Sequence, residues 1–512
     1  MKHKNFNDEK QVDYDVIVVG GGGSGLAAAI ESASMGRKTL LLEKAPQLGG
    51  TTAWSIGSIS ATSTPHQISR GIKDSPAGHF EDLPKFSVSL GCKDNEELRR
   101  LLTDRVPDTL RWLMSIGVQF VGPMPEPPHQ QPRMHNVVPN SRAYIAHCRR
   151  EALRLGVEIR TGTRVTDLPY EGGRVTGVEA IGPEGATVKL LARGGVVLAS
   201  GDYSASPEYK REFISDNAAR VQPINVNSTG DGHRMATRLG AYVINGHLAH
   251  MGVRFVPPPR RSLAESLPSS KFLGRLIRLA MERVPMKYLR PFLMKFLVTV
   301  MEPSPTLFKA GAILLGRDGG LISDWDGDRK ALLEARDDHT AYVLLDAKLA
   351  ASFEAWPNYV STAPGVAYAY LSDYRRNRPD LYCSASSLSS LASKAGLDTA
   401  VLEASVQAVN SRRALGAGGP EQFADGPWIL LGPLKLYITF TDGGLAVDSD
   451  LRVMDRSGSP IPGLYAAGST GQGGLLLEGH GHHLGWAFTS GRLAGRNAAF
   501  ESNTQPIGKV NN

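Results

Sequence analysis

The apolar and polar positions divide the chain into recognisable elements. Asp15–Val19 is apolar and β-branched after its first residue, which predicts a strand buried on both faces. Leu26–Met35 reads as a helix stopped by Gly36, and Thr39–Leu42 as a second buried strand ending at Glu43. Ser141–Leu155 predicts a helix, followed by short strands at Val157–Arg160, Thr163–Asp167 and Arg174–Val178. A further buried strand is expected over Gly195–Asp202, and a helix opening at Thr229–Gly232 and running to Leu239. Later come a strand at Ala341–Asp346, helices at Ser387–Lys394 and Thr399–Ala414, and strands at Leu434–Phe440 and Tyr465–Ala467. The last helix is expected from Leu484 to Phe500. Strands alternating with helices in the first third point to an α/β fold.

The first strand runs directly into Gly20, Gly22, Gly23, Ser24 and Gly25. Gly20-x-Gly22-x-x-Gly25 has the spacing of a dinucleotide-binding turn. The first glycine allows the tight turn, the second lets the backbone approach a pyrophosphate, and the third lets the helix lie against the strand. The helix N-terminus then faces the phosphates. Glu43, at the end of the second strand, is placed to accept hydrogen bonds from a ribose diol. Lys44 and the glycines and hydroxyls of Gly49, Gly50, Thr51 and Thr52 suit a loop that continues along an extended cofactor.

Composition narrows the class. The chain has 512 residues, enough for two or three domains, with 41% hydrophobic and 21% charged residues. A net charge of +7 is modest for this length, and no nucleic-acid motif accompanies it. Cys92, Cys148 and Cys383 are far apart, so neither a disulfide framework nor a cysteine metal site is expected. The segment MKHKNFNDEKQVDYD lacks an apolar secretion-signal core, and no apolar run reaches the roughly 18 residues of a spanning helix. The expected location is cytoplasmic, with membrane association through residues 271–298 left open. There Arg275, Arg278, Arg283, Lys287, Arg290 and Lys295 interrupt Leu, Ile and Phe, and Pro285 and Pro291 divide the segment. Ordinary packing or an oligomer contact would use the same pattern.

Two separated blocks carry a family resemblance. The first is the glycine turn with Glu43 and its following loop; the second comprises Gly443–Leu445, Ile461–Gly468 and Gly491–Gly495. Together they resemble the fumarate reductase/succinate dehydrogenase flavoprotein superfamily. The resemblance implies a Rossmann-like FAD-binding domain of the glutathione-reductase type with an inserted α+β substrate cap. The implied division is 1–239 and 426–512 for the FAD-binding domain and 240–425 for the cap. It implies FAD as cofactor, held noncovalently, with Val165, Gly201, Gly468, Ser469 and Leu484 near it. It also implies a small-molecule substrate, and a separate electron acceptor: quinone, oxygen or a protein.

Within the superfamily the chain looks nearer the 3-ketosteroid dehydrogenase branch. The substrate-binding Arg of the fumarate reductases is absent from His482–Trp486, whereas Gly479, Gly481 and Gly485 match the steroid branch. That branch's tyrosine falls on Leu477. The resemblance makes the Gly481 amide a donor to a substrate ketone. His480 and His483 are candidate acid–base groups, because imidazole titrates near neutral pH. Glu478 is placed to tune one of them, and Tyr437 is a candidate substrate contact. Trp54 and His66, which follow the FAD loop, are pocket-lining candidates, Tyr368 and Tyr370 are candidates for the family's cap tyrosine, and Arg142, Arg254 or Arg317 would bind an acidic substrate. No metal site is expected, since adjacent His482 and His483 must point apart. The expected reaction is desaturation of a cyclic or steroid-like ketone beside its carbonyl. The alternatives are an enone or enoate reductase and a non-catalytic flavin-binding subunit.

Overall fold

A computed structural model describes residues 12–257, 270–285, 288–290, 294, 302–324, 327–363, 367–416 and 419–504. Two sheets organise it. The first has eight strands, with Val12–Val19 at its centre between Thr187–Leu198 and Thr39–Leu42. All three are parallel, and Pro460–Ala466 extends the sheet in parallel beyond Thr187–Leu198. The central strands are apolar because both faces are covered. Val16, Ile17 and Val18 have no exposed surface, nor do Val196, Val197 and Leu198.

The helices Gly23–Ser34 and His482–Thr504 cross against this sheet almost backbone to backbone. A Cβ on Gly491 would lie 2.3 Å from Ser24 O, and one on Gly495 2.2 Å from Ala28 O. That crossing is the physical reason for the Gly491–Gly495 pattern. Buried Glu31 on the first helix accepts from Arg492 Nε at 2.9 Å and from Arg496 Nε at 3.1 Å, so an ion cluster locks the pair. The N-terminal and C-terminal motifs thus form one unit.

The second sheet has seven strands built around the long strand Trp428–Thr441. That strand pairs antiparallel with Ala249–Phe255, Thr340–Leu345 and Tyr382–Ala385, and parallel with Gln222–Pro223. This sheet therefore draws strands from both sides of residues 240–425. Leu434, Leu436 and Ile438 bury one face in a core with Phe255, Phe308, Phe353 and Tyr374. A small three-stranded sheet, Ser58–Ser60, Met134–Val138 and Gln119–Met124, lies against the start of the last helix.

Element ends shifted by a few residues where local pattern competes with tertiary pairing. The helix expected from Leu26 begins at Gly23, because the glycine turn already has helical geometry there. The strand expected at Gly195–Asp202 starts at Thr187 and ends at Leu198. The last helix begins at His482 and runs to Thr504. Within 271–298, Lys271–Arg283 is a helix; residues 286–287, 291–293 and 295–298 lie outside the described residues. Among the described residues no helix is long and apolar enough to cross a membrane.

Candidate active site

A cleft of about 810 Å³, open to solvent, lies at the C-terminal ends of the central parallel strands. This is the position where open α/β sheets bind ligands. Gly20, Gly22, Gly23, Ser24, Glu43, Lys44, Gly50, Thr51, Thr52, Val165, Gly201 and Ser469 all line it. Gly25 does not; it sits under the turn, where a Cβ would lie 1.8 Å from Gly20 O. Gly49 ties the second loop to the first by donating to Gly21 O at 3.0 Å. Gly468 packs against Ser24 and donates to Ser490 Oγ at 2.9 Å, and Leu484 is buried in the core. These four shape the cleft rather than line it.

Glu43 accepts the Gly21 amide on Oε2 and the Ala45 amide on Oε1, each at 2.7 Å. Each oxygen keeps a free lone pair for a diol. Lys44 Nζ bridges Thr229 Oγ1 at 2.5 Å and Asp231 Oδ2 at 2.8 Å, pinning the Asp231–Arg238 helix to the cleft rim. Asn225, Asn227, Ser228 and Asp231 also line the cleft. The Thr229–Gly232 turn and Lys44 were each visible in sequence, but their pairing was not. The space beside Gly22 suits a pyrophosphate: a Cβ there would meet nothing closer than 3.9 Å. The donor set, the shape and the ribose carboxylate all fit FAD.

A second group of residues surrounds the start of the last helix. His483 lies one turn before Ala487, which lines the cleft, and so shares its helix face. His483 Nε2 donates to Asp442 Oδ1 at 2.8 Å, and Gln472 Nε2 donates to the same oxygen at 2.9 Å. Burial opposes the Asp442 charge, but His483 and His250 hold its pKa below the usual carboxylate value. His480 donates twice to Glu126 Oε1, from its backbone N at 2.9 Å and from Nδ1 at 2.5 Å. Ser60 Oγ donates to the His480 carbonyl at 2.7 Å. His250 Nε2 lies 2.6 Å from Glu478 Oε1 and 4.0 Å from Asp442 Oδ2. Burial disfavours its charge, yet Glu478 and Asp442 together raise its pKa. Phe440 separates two of these rings, 4.5 Å from His250 and 4.2 Å from His483 between centroids.

Three imidazoles are thus each held by a carboxylate. Among the described residues none of these carboxylates pairs with a guanidinium or ammonium group. Sequence reading had singled out His480, His483 and Glu478; it missed Glu126, His250, Phe440 and Asp442. Asp442 immediately precedes the Gly443-Gly444 pair, the one local signal that pointed to it.

Gly481 sits at φ +91°, and a Cβ there would lie 2.5 Å from Ser60 N. It opens the last helix, whose first amides project toward the same region. Tyr437 is buried in the long strand opposite Gly252, and burial raises its hydroxyl pKa. The aromatic contact to the two imidazoles comes from Phe440 instead. His66 lines a separate cleft with Arg70 and Arg278, and Trp54 is exposed. Tyr368 packs on Trp356 and Tyr359, and Tyr370 caps the helix Leu371–Asn377. Arg254 faces Glu302 at 3.4 Å, and Arg317 is exposed in a turn.

His482 turns away from His483 into a buried cluster with His79 and His129. Its Nδ1 donates to Glu478 O at 2.6 Å, and its Nε2 meets His79 Nε2 at 3.2 Å. Arg133 Nη1 donates to His129 Nδ1 at 2.8 Å, so the proton of neutral His129 sits on Nε2. Burial, with the neighbouring cations, lowers all three pKa values, His482 to about 4 and His129 to about 2. As folded, this is a network of neutral imidazoles.

A family model described as the FAD binding domain matches residues 15–476. The chain belongs to this family. It is an FAD-dependent oxidoreductase of the fumarate reductase/succinate dehydrogenase flavoprotein superfamily. It is similar to the NADH:fumarate oxidoreductase of Klebsiella pneumoniae, 25% identical over 96% of this chain and 48% of the relative. The chain thus spans about half the length of that protein. It is also similar to the vinyl phenol reductase of Lactiplantibacillus plantarum, 26% identical over 97% of this chain and 99% of the relative. The fold matches the open conformation of a flavocytochrome c3 fumarate reductase, with TM-score 0.74 and 21% identity. That match covers 96% of this chain and 79% of the other. It matches a 3-ketosteroid Δ1-dehydrogenase from Sterolibacterium denitrificans with TM-score 0.66 and 19% identity, covering 95% and 99%. Both branches share the fold.

Proposed function

We propose that the protein oxidises the CH–CH bond beside the carbonyl of a neutral, cyclic or steroid-like ketone. The observation that carries this reading is His483 held by buried, ionised Asp442, one helical turn from the cleft. Bound FAD supplies the acceptor for the hydride. The protein's own part is to activate the carbonyl, take the proton and exclude charged competitors.

Because Asp442 accepts the His483 Nε2–H, the lone pair of His483 is on Nδ1. That nitrogen serves as the base for the carbon next to the carbonyl, and Asp442 stabilises the imidazolium that results. Glu126 fixes His480 in the opposite sense, with the proton on Nδ1 and the lone pair on Nε2. His480 therefore presents a hydrogen-bond acceptor on its Nε2. The Gly481 amide and the helix N-terminus supply positive potential where charge develops on the carbonyl oxygen. Three carboxylates without a guanidinium partner disfavour a dicarboxylate substrate.

A second reading runs the same groups in reverse, with His483 donating a proton to an activated C=C bond. The names of the two relatives favour it. In either direction the electron partner is separate: quinone, oxygen or another protein. The deciding experiment is anaerobic mixing of the flavoprotein with saturated cyclic ketones, including 3-ketosteroids. Loss of the flavin's visible absorbance with enone formation supports oxidation. No loss with any ketone, together with reoxidation of the dithionite-reduced protein by enones or vinyl phenols, replaces it with the reductase.

A further inference from the structure

The helix Lys271–Arg283 carries its apolar stripe outward. Phe272 is 72% exposed, Leu276 48% and Leu279 39%, at helical spacings of three and four residues. The inward side is held by Gly274, which packs on Gln119 and the Val138 carbonyl. The helix thus rests on the strands Gln119–Met124 and Met134–Val138 and shows Phe and Leu to solvent. A soluble surface helix normally has the reverse arrangement.

Charge distinguishes the occupant. Lys271, Arg275, Arg278 and Arg283 stand against the single acid Glu282 in this helix. Lys271, Arg275 and Arg283 are exposed beside the apolar stripe. Arg278 turns into a cleft shared with His66 and Arg70. Apolar side chains ringed by cations match the layered chemistry of an anionic lipid surface: acyl chains beneath phosphate headgroups. A protein partner would need acidic residues around an apolar groove, and a second copy of this chain would set cation against cation.

We infer that the outward face of Lys271–Arg283 docks the protein on an anionic membrane surface. The apolar residues enter the interface and the basic ones meet the headgroup phosphates. The helix packs on two strands of the small sheet whose third strand, Ser58–Ser60, holds the His480 carbonyl, so one small sheet links the docking helix to the active-site turn. Apolar substrates or a lipid-dissolved acceptor would then be taken from the bilayer nearby.

The test is co-sedimentation of the flavin-loaded full chain with vesicles of phosphatidylcholine alone or of phosphatidylcholine with phosphatidylglycerol. Binding is expected only to the anionic vesicles and is expected to weaken in high salt. Two exposed-surface variants separate the components. Leu276→Asp with Phe272→Asp should lower partitioning about tenfold or more, and Arg275→Glu with Arg283→Glu by a similar factor. Both should retain bound flavin. Equal binding to neutral and anionic vesicles, or unchanged binding of both variants, overturns the inference. So does a concentration-dependent dimer that the apolar variant abolishes, which would assign the face to a second copy.

Discussion

Asp442 accepts a hydrogen bond from His483 Nε2 at 2.8 Å, joining the end of the long strand Trp428–Thr441 to the first turn of the last helix. Asp442 follows the long strand of the second sheet and His483 opens the helix packed on the first, so their meeting ties the two sheets together at the point where chemistry is proposed. Asp442 is 4% exposed and carries a second donor, Gln472. It is therefore a rigid orienting group.

Replacing that imidazole should separate chemistry from cofactor binding. In His483→Gln the rate of flavin reduction by substrate should fall by about 10²–10⁴, the usual range for a positioned acid–base group. Flavin content should stay as in the parent, because His483 is not part of the nucleotide cradle. Rapid mixing under anaerobic conditions measures the first and the flavin-to-protein ratio the second. An unchanged reduction rate would remove His483 from the mechanism and move attention to His480.

Glu43 makes the complementary prediction for the nucleotide end. Glu43→Ala removes acceptors from the Gly21 and Ala45 amides as well as from the ribose. Charge-assisted hydrogen bonds of this kind contribute about 1.5–3 kcal/mol, so FAD affinity should fall by roughly 10- to 150-fold. Titration of apoprotein with FAD reads this directly. Equal affinity would show that the ribose is held elsewhere on the rim, with Asp231 and Arg164 the nearest alternatives.

These two sites differ in how far they could be read from sequence. The nucleotide cradle is local: Gly20–Gly25 and Glu43 occupy one strand–helix–strand unit, so spacing alone carries the geometry. The Gly491–Gly495 pattern was visible too, but its cause, contact with the first helix, appears only when both ends of the chain are placed together. The redox side is non-local. His483 finds Asp442 from a different strand, and His480 finds Glu126 more than three hundred residues earlier. Glu126 lies in a polar loop with no motif of its own. Tyr437 was chosen because a strand brings it near the Gly443–Gly444 turn, but the register around His250 places Phe440 against the imidazoles.

Gly481 should be intolerant of any side chain. Its φ of +91° and the 2.5 Å approach of a Cβ to Ser60 N leave no relaxed position for alanine. A strained non-glycine residue costs of order 1–3 kcal/mol, and about 2–4 °C of Tm follows for each kcal/mol in a large domain. Gly481→Ala should therefore melt several degrees lower and lose turnover by displacing the amide. A thermal melt equal to that of the parent would mean that the turn at 481 is not formed as described.

Acid should destabilise the protein from a pH well above that of ordinary carboxylate titration. Burial, the largest influence in each case, lowers His233 and His482 to about 4, His135 to about 3 and His129 to about 2, from an ordinary value of 6.5. His79 is lowered as well. A histidine with a depressed folded pKa binds its proton more readily when unfolded. The stability it contributes is present above 6.5 and is lost as pH falls toward the folded value, with a slope of up to about 1.4 kcal/mol per pH unit for each group. His250 acts in the opposite sense: its raised pKa contributes stability below 6.5 that disappears as pH rises through the folded value. His147 and His339 are lowered too, and these seven imidazoles outweigh His250 together with Asp94 and the buried Asp202, whose raised carboxyl pKa values act in the same sense as His250, so Tm of the flavin-loaded protein should drop from about pH 6.5 down to about 4. His233→Asn supplies the control. That side chain is fully buried near the Gly443 carbonyl, so the variant should be less stable at neutral pH but show a shallower acid slope. A parent Tm that stays flat to pH about 5, or an identical slope in the variant, would show that these imidazoles are not held neutral by the fold.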